Sequence, residues 1–183
     1  MRSSLLPCCL VLLSLVACDS PPWKKISLIV AAERGDLAAV KAGVAAGTNI
    51  NETREGGQTA LLVAAINKQV DIAAYLLEKG ADPDLADASG QSPVFWAAEN
   101  NQTEMVRILV THGADVNAKT SAGEVALMRA VVHTNATVVQ LLMDAGADPT
   151  LKSNWGYSPL ALATEGNYAE ILRILNRVTA PGP

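Results

Sequence analysis

The sequence predicts a helical protein built from stacked repeats, and two observations lead to that prediction. Glycine recurs with a period of 33 residues in two columns, which together hold eight of the 13 glycines. The columns are Gly57, Gly90, Gly123 and Gly156, and Gly47, Gly80, Gly113 and Gly146. A fixed period of about 20 to 50 residues is typical of stacked repeat architectures. Before the second column, apolar residues such as Ile72, Leu76 and Leu77 recur at helical spacing.

The composition fits close packing of helices. Of the 183 residues, 50% are hydrophobic but only 4% are aromatic, and the abundant alanines let neighbouring helices approach closely. This apolar content, together with 17% charged residues, excludes a disordered or collagen-like chain. The formal net charge is −4 and there is no basic cluster. The sequence therefore argues against a nucleic-acid partner, whose phosphates require Lys and Arg.

The residues around the glycines resemble the ankyrin repeat, whose pattern is G-x-T-P-L-H-x-A-A, followed by an amphipathic helix that ends L-L-x-x-G-A-D-x-N. Residues 90–98 read GQSPVFWAA and residues 76–82 read LLEKGAD. The resemblance covers about Lys24 to Arg177. It implies an all-α ankyrin-repeat solenoid of about five helix-turn-helix repeats with short β-turn fingers.

The five predicted repeats differ in how well they follow this pattern. Their approximate bounds are 26–53, 54–86, 87–119, 120–152 and 153–177, followed by a disordered tail over 178–183. Thr59, Ser92 and Ser158 are predicted N-caps of the first helix. The fourth repeat departs most, with Val125 at the N-cap position and Arg129 in place of an apolar residue. We expect Arg129 either to pair with a nearby carboxylate or to emerge from the stack, and this repeat to be the least protected.

The first 18 residues resemble a bacterial lipoprotein signal. Arg2 is followed by an apolar run from Leu5 to Ala17, which is too short to span a bilayer core of about 30 Å but is typical of a signal peptide. The run ends in LVAC, which resembles a lipobox, where the cysteine is diacylated and the signal is removed. We predict a lipoprotein signal peptide over 1–17 and lipidation of Cys18. A plainly secreted protein is the first alternative, and a buried N-terminal helix the second.

Residues 18–25 then comprise the lipidated cysteine and a tether, in which two prolines favour an extended path. Cys8 and Cys9 lie within the signal, so the processed chain would form no disulfide. Asp19 directly after the cysteine resembles the inner-membrane retention signal of enterobacterial lipoproteins. We therefore expect a lipid anchor in the bacterial cell envelope with the domain in the periplasm, and this residue favours the inner membrane.

The sequence contains no motif of known catalytic or cofactor chemistry. There is no phosphate-binding loop, no G-x-S-x-G and no H-E-x-x-H. Asp82, Asp115 and Asp148 recur in one column, which indicates a structural role in turns and not a metal site. We predict no enzymatic activity, no metal and no cofactor.

The resemblance implies a protein partner, because ankyrin domains generally bind proteins through the finger tips and the concave face of the first helices. The candidate contact residues are Arg54, Glu55, Gln58, Phe95, Glu99, Asn100, Glu124, His133, Asn154, Trp155, Tyr157 and Glu165. The carboxylates predict a partner with basic patches. Trp155 and Tyr157 flank a turn glycine, so they are candidates for partner contact; alternatively, Trp155 folds back over the last repeat. We expect Trp96 in the core and Phe95 at the concave face.

Together these features predict a monomeric, non-catalytic protein-binding module on a membrane anchor. Its expected role is that of an adaptor or regulator of an envelope or periplasmic protein, with stress protection among the possible settings. The alternative is an immunity lipoprotein that neutralises a periplasm-directed toxin. An enzyme is disfavoured because no nucleophile, base and orienting group can be named together.

Overall fold

The computed structural model describes residues 27–179, with side chains through residue 177. These residues form ten helices in five consecutive pairs, which confirms the predicted all-α repeat fold. The pairs are α1 (Leu28–Glu33) and α2 (Leu37–Ala45), α3 (Ala60–Ile66) and α4 (Val70–Glu78), α5 (Pro93–Glu99) and α6 (Thr103–Thr111), α7 (Ala126–Val132) and α8 (Ala136–Asp144), and α9 (Pro159–Glu165) and α10 (Ala169–Thr179). The predicted signal peptide, Cys18 and the tether lie outside the described residues.

The helices form two layers. Within each pair the two helices pack together, and from repeat to repeat the odd-numbered helices pack on one another, as do the even-numbered ones. Ala64, Ala65 and Ala97 in the odd-numbered layer are 0% exposed. Leu76 and Leu109, from the even-numbered helices, are also fully buried. Small side chains thus bring the odd helices together, while each repeat buries its larger apolar residues against its neighbours.

Hydroxyl side chains cap the N-termini of three of the odd-numbered helices. Thr59, Ser92 and Ser158 each accept a hydrogen bond from the backbone N–H three residues later, at 3.1, 3.4 and 3.1 Å. This confirms the three predicted N-caps. Val125 precedes α7 and provides no such bond. An N-cap contributes about 1 kcal/mol to the stability of a helix, and α7 lacks this contribution.

Four β-turn fingers precede α3, α5, α7 and α9, and neighbouring fingers are bonded to each other. In the third repeat, the N–H of Asp87 donates to the carbonyl of Gln91 at 3.1 Å, and the N–H of Gly90 donates to the carbonyl of Asp87 at 2.8 Å. The same pair of bonds recurs in the other three fingers. Single backbone bonds of 2.8, 2.9 and 3.0 Å join the fingers, from Ala88 to Gly56, Ser121 to Ser89, and Asn154 to Ala122. The finger tips are therefore held in a fixed row.

Gly123 is the finger residue at which the need for glycine is clearest. Its φ is 74°, in the left-handed region that costs other residues about 1–2 kcal/mol. A Cβ there would lie 2.6 Å from Oδ1 of Asn154 and 2.9 Å from the backbone nitrogen of the same residue. Gly113, after α6, has a φ of 85° but no atom within 4 Å of such a Cβ. The finger glycine is thus needed for both conformation and space.

A ladder of acidic and amide side chains fixes the turns that follow the even-numbered helices. Asp82, Asp115 and Asp148 each accept a hydrogen bond from the backbone N–H two residues later, at 2.9, 2.9 and 2.8 Å. Asp84 then accepts from the N–H of Asp115 at 2.7 Å, and Asn117 from the N–H of Asp148 at 2.8 Å. The predicted structural role of the aspartate column is therefore confirmed.

The last of these aspartates, Asp148, has a lowered pKa. The hydroxyl of Thr150 and its backbone N–H both donate to Asp148, at 2.7 and 2.8 Å. Both bonds favour the charged form, so they lower the pKa of Asp148 from its usual value of 3.8.

Each link between an odd and an even helix turns through one left-handed residue. The first repeat has Gly35 at this position, with φ 69°. The others have Lys68, Asn101, Thr134 and Asn167, with φ of 61°, 60°, 53° and 55°. Asparagine tolerates this conformation better than most residues, whereas a β-branched threonine is strained by it. Thr134 therefore gives the fourth repeat a second local weakness.

The C-terminal helix runs further than the sequence predicts. α10 ends at Thr179, two residues beyond the predicted boundary at 177, so residues 178 and 179 belong to the helix and not to the tail. None of the helices within 27–179 has the length and apolar character needed to cross a membrane.

Candidate protein-binding surface

The odd-numbered helices and the fingers share one side of the stack, called the inner face below. The candidate contact residues belong to these fingers and helices and form two groups. The finger group is Arg54, Glu55, Gln58, Glu124, Asn154, Trp155 and Tyr157, and the helix group is Phe95, Glu99, Asn100, His133 and Glu165. The hydrogen bonds between fingers and the packing of the odd helices hold both groups on a rigid support.

Arg129 brings four of these candidates together. Its Nη2 donates to the carboxylate of Glu124, and its Nη1 lies 3.8 Å from Oε2 of Glu99. Nε2 of His133 lies 3.5 Å from the same Glu99 oxygen. The guanidinium carbon is 5.8 Å from the centre of the Phe95 ring. Of the two alternatives for this arginine, pairing with a carboxylate is confirmed. The four charged or titratable residues are called the Arg129 cluster.

The Arg129 cluster changes the electrostatic prediction for the inner face. The side chains of Arg129, Glu124 and Glu99 are 25%, 19% and 34% exposed, so the three charges are only partly screened by water. With His133 neutral, their sum is one negative charge. Glu99 and Glu124 are thus already paired with Arg129, which reduces the negative charge available to the predicted basic partner.

The predicted positions of the two aromatic residues in α5 are reversed. Phe95 is only 3% exposed, so it is not an exposed contact residue on the inner face. Trp96 is partly exposed, and its indole Nε1 donates to Asp87 at 3.3 Å. The reason is that Arg129 of the next repeat lies over the Phe95 ring, whereas the polar tip of Trp96 reaches the finger.

Other candidate residues support the surface as well as contributing to it. Nε of Arg54 donates to Oε1 of Gln58 at 2.9 Å, and the same guanidinium pairs with Glu33. Nδ2 of Asn154 donates to the carbonyl of Ser121 at 3.0 Å and so bridges two fingers. Asn100 is half-buried at the C-terminal end of α5.

The large apolar residues that remain exposed lie in the last two repeats. Among residues 27–177, these are Val132, Trp155 and Tyr157, at 46%, 66% and 45% exposure. Trp155 therefore does not fold back over the end of the stack. Exposed aromatics of this kind are common at the centre of protein interfaces.

Metal binding is a further chemistry to consider for the described residues. No group of three or more His, Cys, Asp and Glu residues within 27–179 could hold a metal ion. His133 lies against the carboxylate of Glu99 in the cluster.

The comparison with protein families decides the type of repeat. A model described as ankyrin repeats (3 copies) matches residues 28–120, and one described as ankyrin repeats (many copies) matches residues 109–163. The chain belongs to the ankyrin-repeat family. Ankyrin repeats are in general non-catalytic modules that bind other proteins, so the inner face is the surface to consider for a protein partner.

The curated relatives contain similar ankyrin segments within much longer proteins. A mitochondrial disaggregase from Homo sapiens is 36% identical over 88 residues, which cover 47% of this chain and 12% of the relative. The palmitoyltransferase akr1 from Schizosaccharomyces pombe is 47% identical over 57 residues, 31% of this chain and 9% of the relative. A mitochondrial disaggregase from Bos taurus is 38% identical over 68 residues, 37% of this chain and 10% of the relative. The chain spans about a tenth of the length of these relatives.

Besides Arg129, two residues of the surface were not among the candidate contact residues from the sequence. Val132 is exposed at the end of α7, and Glu33 at the end of α1 pairs with Arg54. Both occupy the same position of the repeat as Glu99 and Glu165, because equivalent positions in successive repeats are 33 residues apart. Reading that column as a whole would have identified them.

Proposed function

We propose that this protein is a non-catalytic binding module whose inner face contacts another protein, mainly through the last three ankyrin repeats. One observation supports this most strongly. The large exposed apolar side chains of the described chain, Val132, Trp155 and Tyr157, lie in the same half of the stack as the Arg129 cluster. Apolar anchors beside charged groups are the usual composition of a protein interface.

We further propose that the module is attached to a bacterial membrane through lipid on Cys18 and faces the periplasm. The support is the short apolar run that ends in LVAC, followed by Asp19, which favours the inner membrane. A lipid anchor would raise the concentration of the module near a membrane-bound partner, which strengthens association without additional contacts. The proposed role is that of an adaptor or regulator of an envelope protein, including in stress protection.

The binding surface is tested by crosslinking the full-length lipidated chain in cells and identifying captured proteins by mass spectrometry. We expect the double variant Trp155→Ala/Tyr157→Ala to reduce capture of the main partner at least tenfold. The matched control is Glu104→Ala/Arg107→Ala, an exposed ion pair on α6, which should leave capture unchanged. Equal capture by both double variants would exclude the last finger as the contact site.

The same experiment separates the proposed roles. A resident envelope protein as the specific partner supports the adaptor, whereas a toxin of the periplasm supports the immunity lipoprotein. The Cys18→Ser variant tests the anchor by itself, because it should abolish incorporation of labelled fatty acid into the chain. Equal labelling of this variant and the unsubstituted chain would show that Cys18 is not the lipidated residue.

A further inference from the structure

The last residues of the five odd-numbered helices form a row along the inner face, with alternating chemistry. The row reads Glu33, Ile66, Glu99, Val132 and Glu165. Carboxylates therefore stand at the first, third and fifth repeats, and apolar side chains stand between them. Packed helices lie about 8–10 Å apart, so carboxylates two repeats apart are separated by about 16–20 Å.

The two halves of this row differ in charge and exposure. Glu33 is neutralised by Arg54, and Ile66 is partly buried. In the C-terminal half, the Arg129 cluster around Glu99 keeps one net negative charge. Val132 is 46% exposed, and Glu165 is exposed without a hydrogen bond or ion pair to any residue within 27–179. Only the C-terminal half thus combines negative charge with an exposed apolar residue.

We propose that this C-terminal half binds an α-helix of a protein partner that carries a basic, an apolar and a second basic side chain, with the basic groups about 16–20 Å apart, two helix spacings. The basic groups would pair with the Arg129 cluster and Glu165, and the apolar group would contact Val132. The proposal rests on the proposed function and specifies the chemistry of its partner.

Two features of this face favour a helical partner. All regular elements within 27–179 are helices, so this face presents no strand edge to which an extended peptide could add. A helix satisfies its own backbone hydrogen bonds and presents side chains seven residues apart on nearly one line. Seven residues rise about 10.5 Å, which is close to the spacing between repeats.

The test uses a designed alanine-rich helical peptide with Arg, Leu and Arg at intervals of seven residues, titrated into the full chain and followed by fluorescence anisotropy. Three matched peptides are compared, in which both Arg residues become Glu, Leu becomes Ser, or the two Arg residues stand seven residues apart. We expect saturable binding of the first peptide and at least fivefold weaker binding of the other three. Equal binding of the peptide with closer Arg residues, or no saturable binding of the first peptide up to millimolar concentration, would overturn the proposal.

Variants of the chain provide an independent readout. Glu165→Gln and Val132→Ser should each weaken binding of the first peptide at least fivefold, because both side chains are exposed and their loss leaves the core intact. Glu33→Gln is the control and should change binding less than twofold, since Glu33 is already paired. Circular dichroism verifies that all three variants fold. Equal effects of Glu33→Gln and Glu165→Gln would place the contact elsewhere and contradict the proposal.

Failure of this inference and failure of the proposed function give different results. If crosslinking captures a specific partner that depends on Trp155 but the peptide does not bind, the binding function stands and the partner helix does not have this pattern. If the peptide binds but no specific partner is captured in cells, the inner face binds a helix with this pattern, and the proposed function is contradicted.

Discussion

The Arg129 cluster allows a quantitative prediction of stability. Arg129→Met keeps an apolar side chain over Phe95 but removes the charge that Glu124 and Glu99 share. A hydrogen bond between charged groups contributes about 1.5–3 kcal/mol, and a cation over an aromatic ring about 0.5–1 kcal/mol. The guanidinium is 25% exposed, so we place the loss near the lower end, at about 2 kcal/mol. For a chain of this size that lowers Tm by about 6 °C.

A double-mutant cycle isolates the ion pair from the other effects of the substitution. We expect a coupling energy of about 1.5 kcal/mol between Arg129→Met and Glu124→Gln. The control is the cycle of Arg107→Met with Glu104→Gln, whose side chains are 52% and 61% exposed at a distance of 3.2 Å. Exposed pairs of this kind contribute about 0.5 kcal/mol or less.

Urea unfolding followed by circular dichroism measures both cycles without the ionic screening that guanidinium chloride adds. A loss of 2 kcal/mol should lower the urea midpoint by about 1 M, given the slope of small domains. The reasoning fails if the Arg129–Glu124 coupling is no larger than the Arg107–Glu104 coupling. It would then follow that water screens the cluster as fully as an isolated surface pair.

Four further predictions concern the turns and caps of the repeats. Thr134→Gly should raise the free energy of unfolding by about 1 kcal/mol, because glycine removes the strain at φ 53°; an unchanged urea midpoint would show that Thr134 is unstrained. Gly123→Ala should lower it by about 3 kcal/mol and Gly113→Ala by about 1 kcal/mol, since only the first creates a clash in addition to backbone strain; equal losses would contradict the role of space in the finger. Val125→Thr should add an N-cap of about 1 kcal/mol and slow amide hydrogen exchange in α7, and faster exchange there would refute this. Asp148→Asn should reduce stability at neutral pH. Because the pKa of Asp148 is lowered from 3.8, its stabilisation is complete above that pH and is lost as the pH falls below it, so the difference from the unsubstituted protein should disappear in acid. A difference that is constant with pH would show that the charge of Asp148 is not involved.

The turns and caps could be predicted from the sequence because each depends on the backbone of a few consecutive residues. Thr59 and Ser158 are N-caps because a short hydroxyl side chain at that position reaches the N–H three residues later. Gly123 was identified because its column recurs every 33 residues. Such requirements are local, so the residues of a single repeat are enough to predict its caps and turns.

The pairing on the inner face could not be predicted in the same way, because it depends on how far side chains reach across repeats. Glu99 and Arg129 are far apart in sequence, and only the packing of α5 on α7 brings them together. The error for Phe95 and Trp96 has the same origin. Which of two adjacent residues is buried depends on the rotation of α5 and on Arg129 from the next repeat, and neither is visible in the repeat pattern.

The fourth repeat combines two local weaknesses with ionic and aromatic contacts to the third repeat. Val125 provides no N-cap, and Thr134 is held in a left-handed conformation, so its intrinsic stability should be low. In a repeat array, stability is the sum of such intrinsic contributions and of the interfaces between repeats. Arg129, which contacts Glu99 and covers Phe95 in the third repeat, strengthens one of these interfaces. A partner that binds across the third to fifth repeats would therefore do more than occupy a surface. By linkage it would stabilise the fourth repeat, so slower amide exchange should extend from the contact residues through α7 and α8.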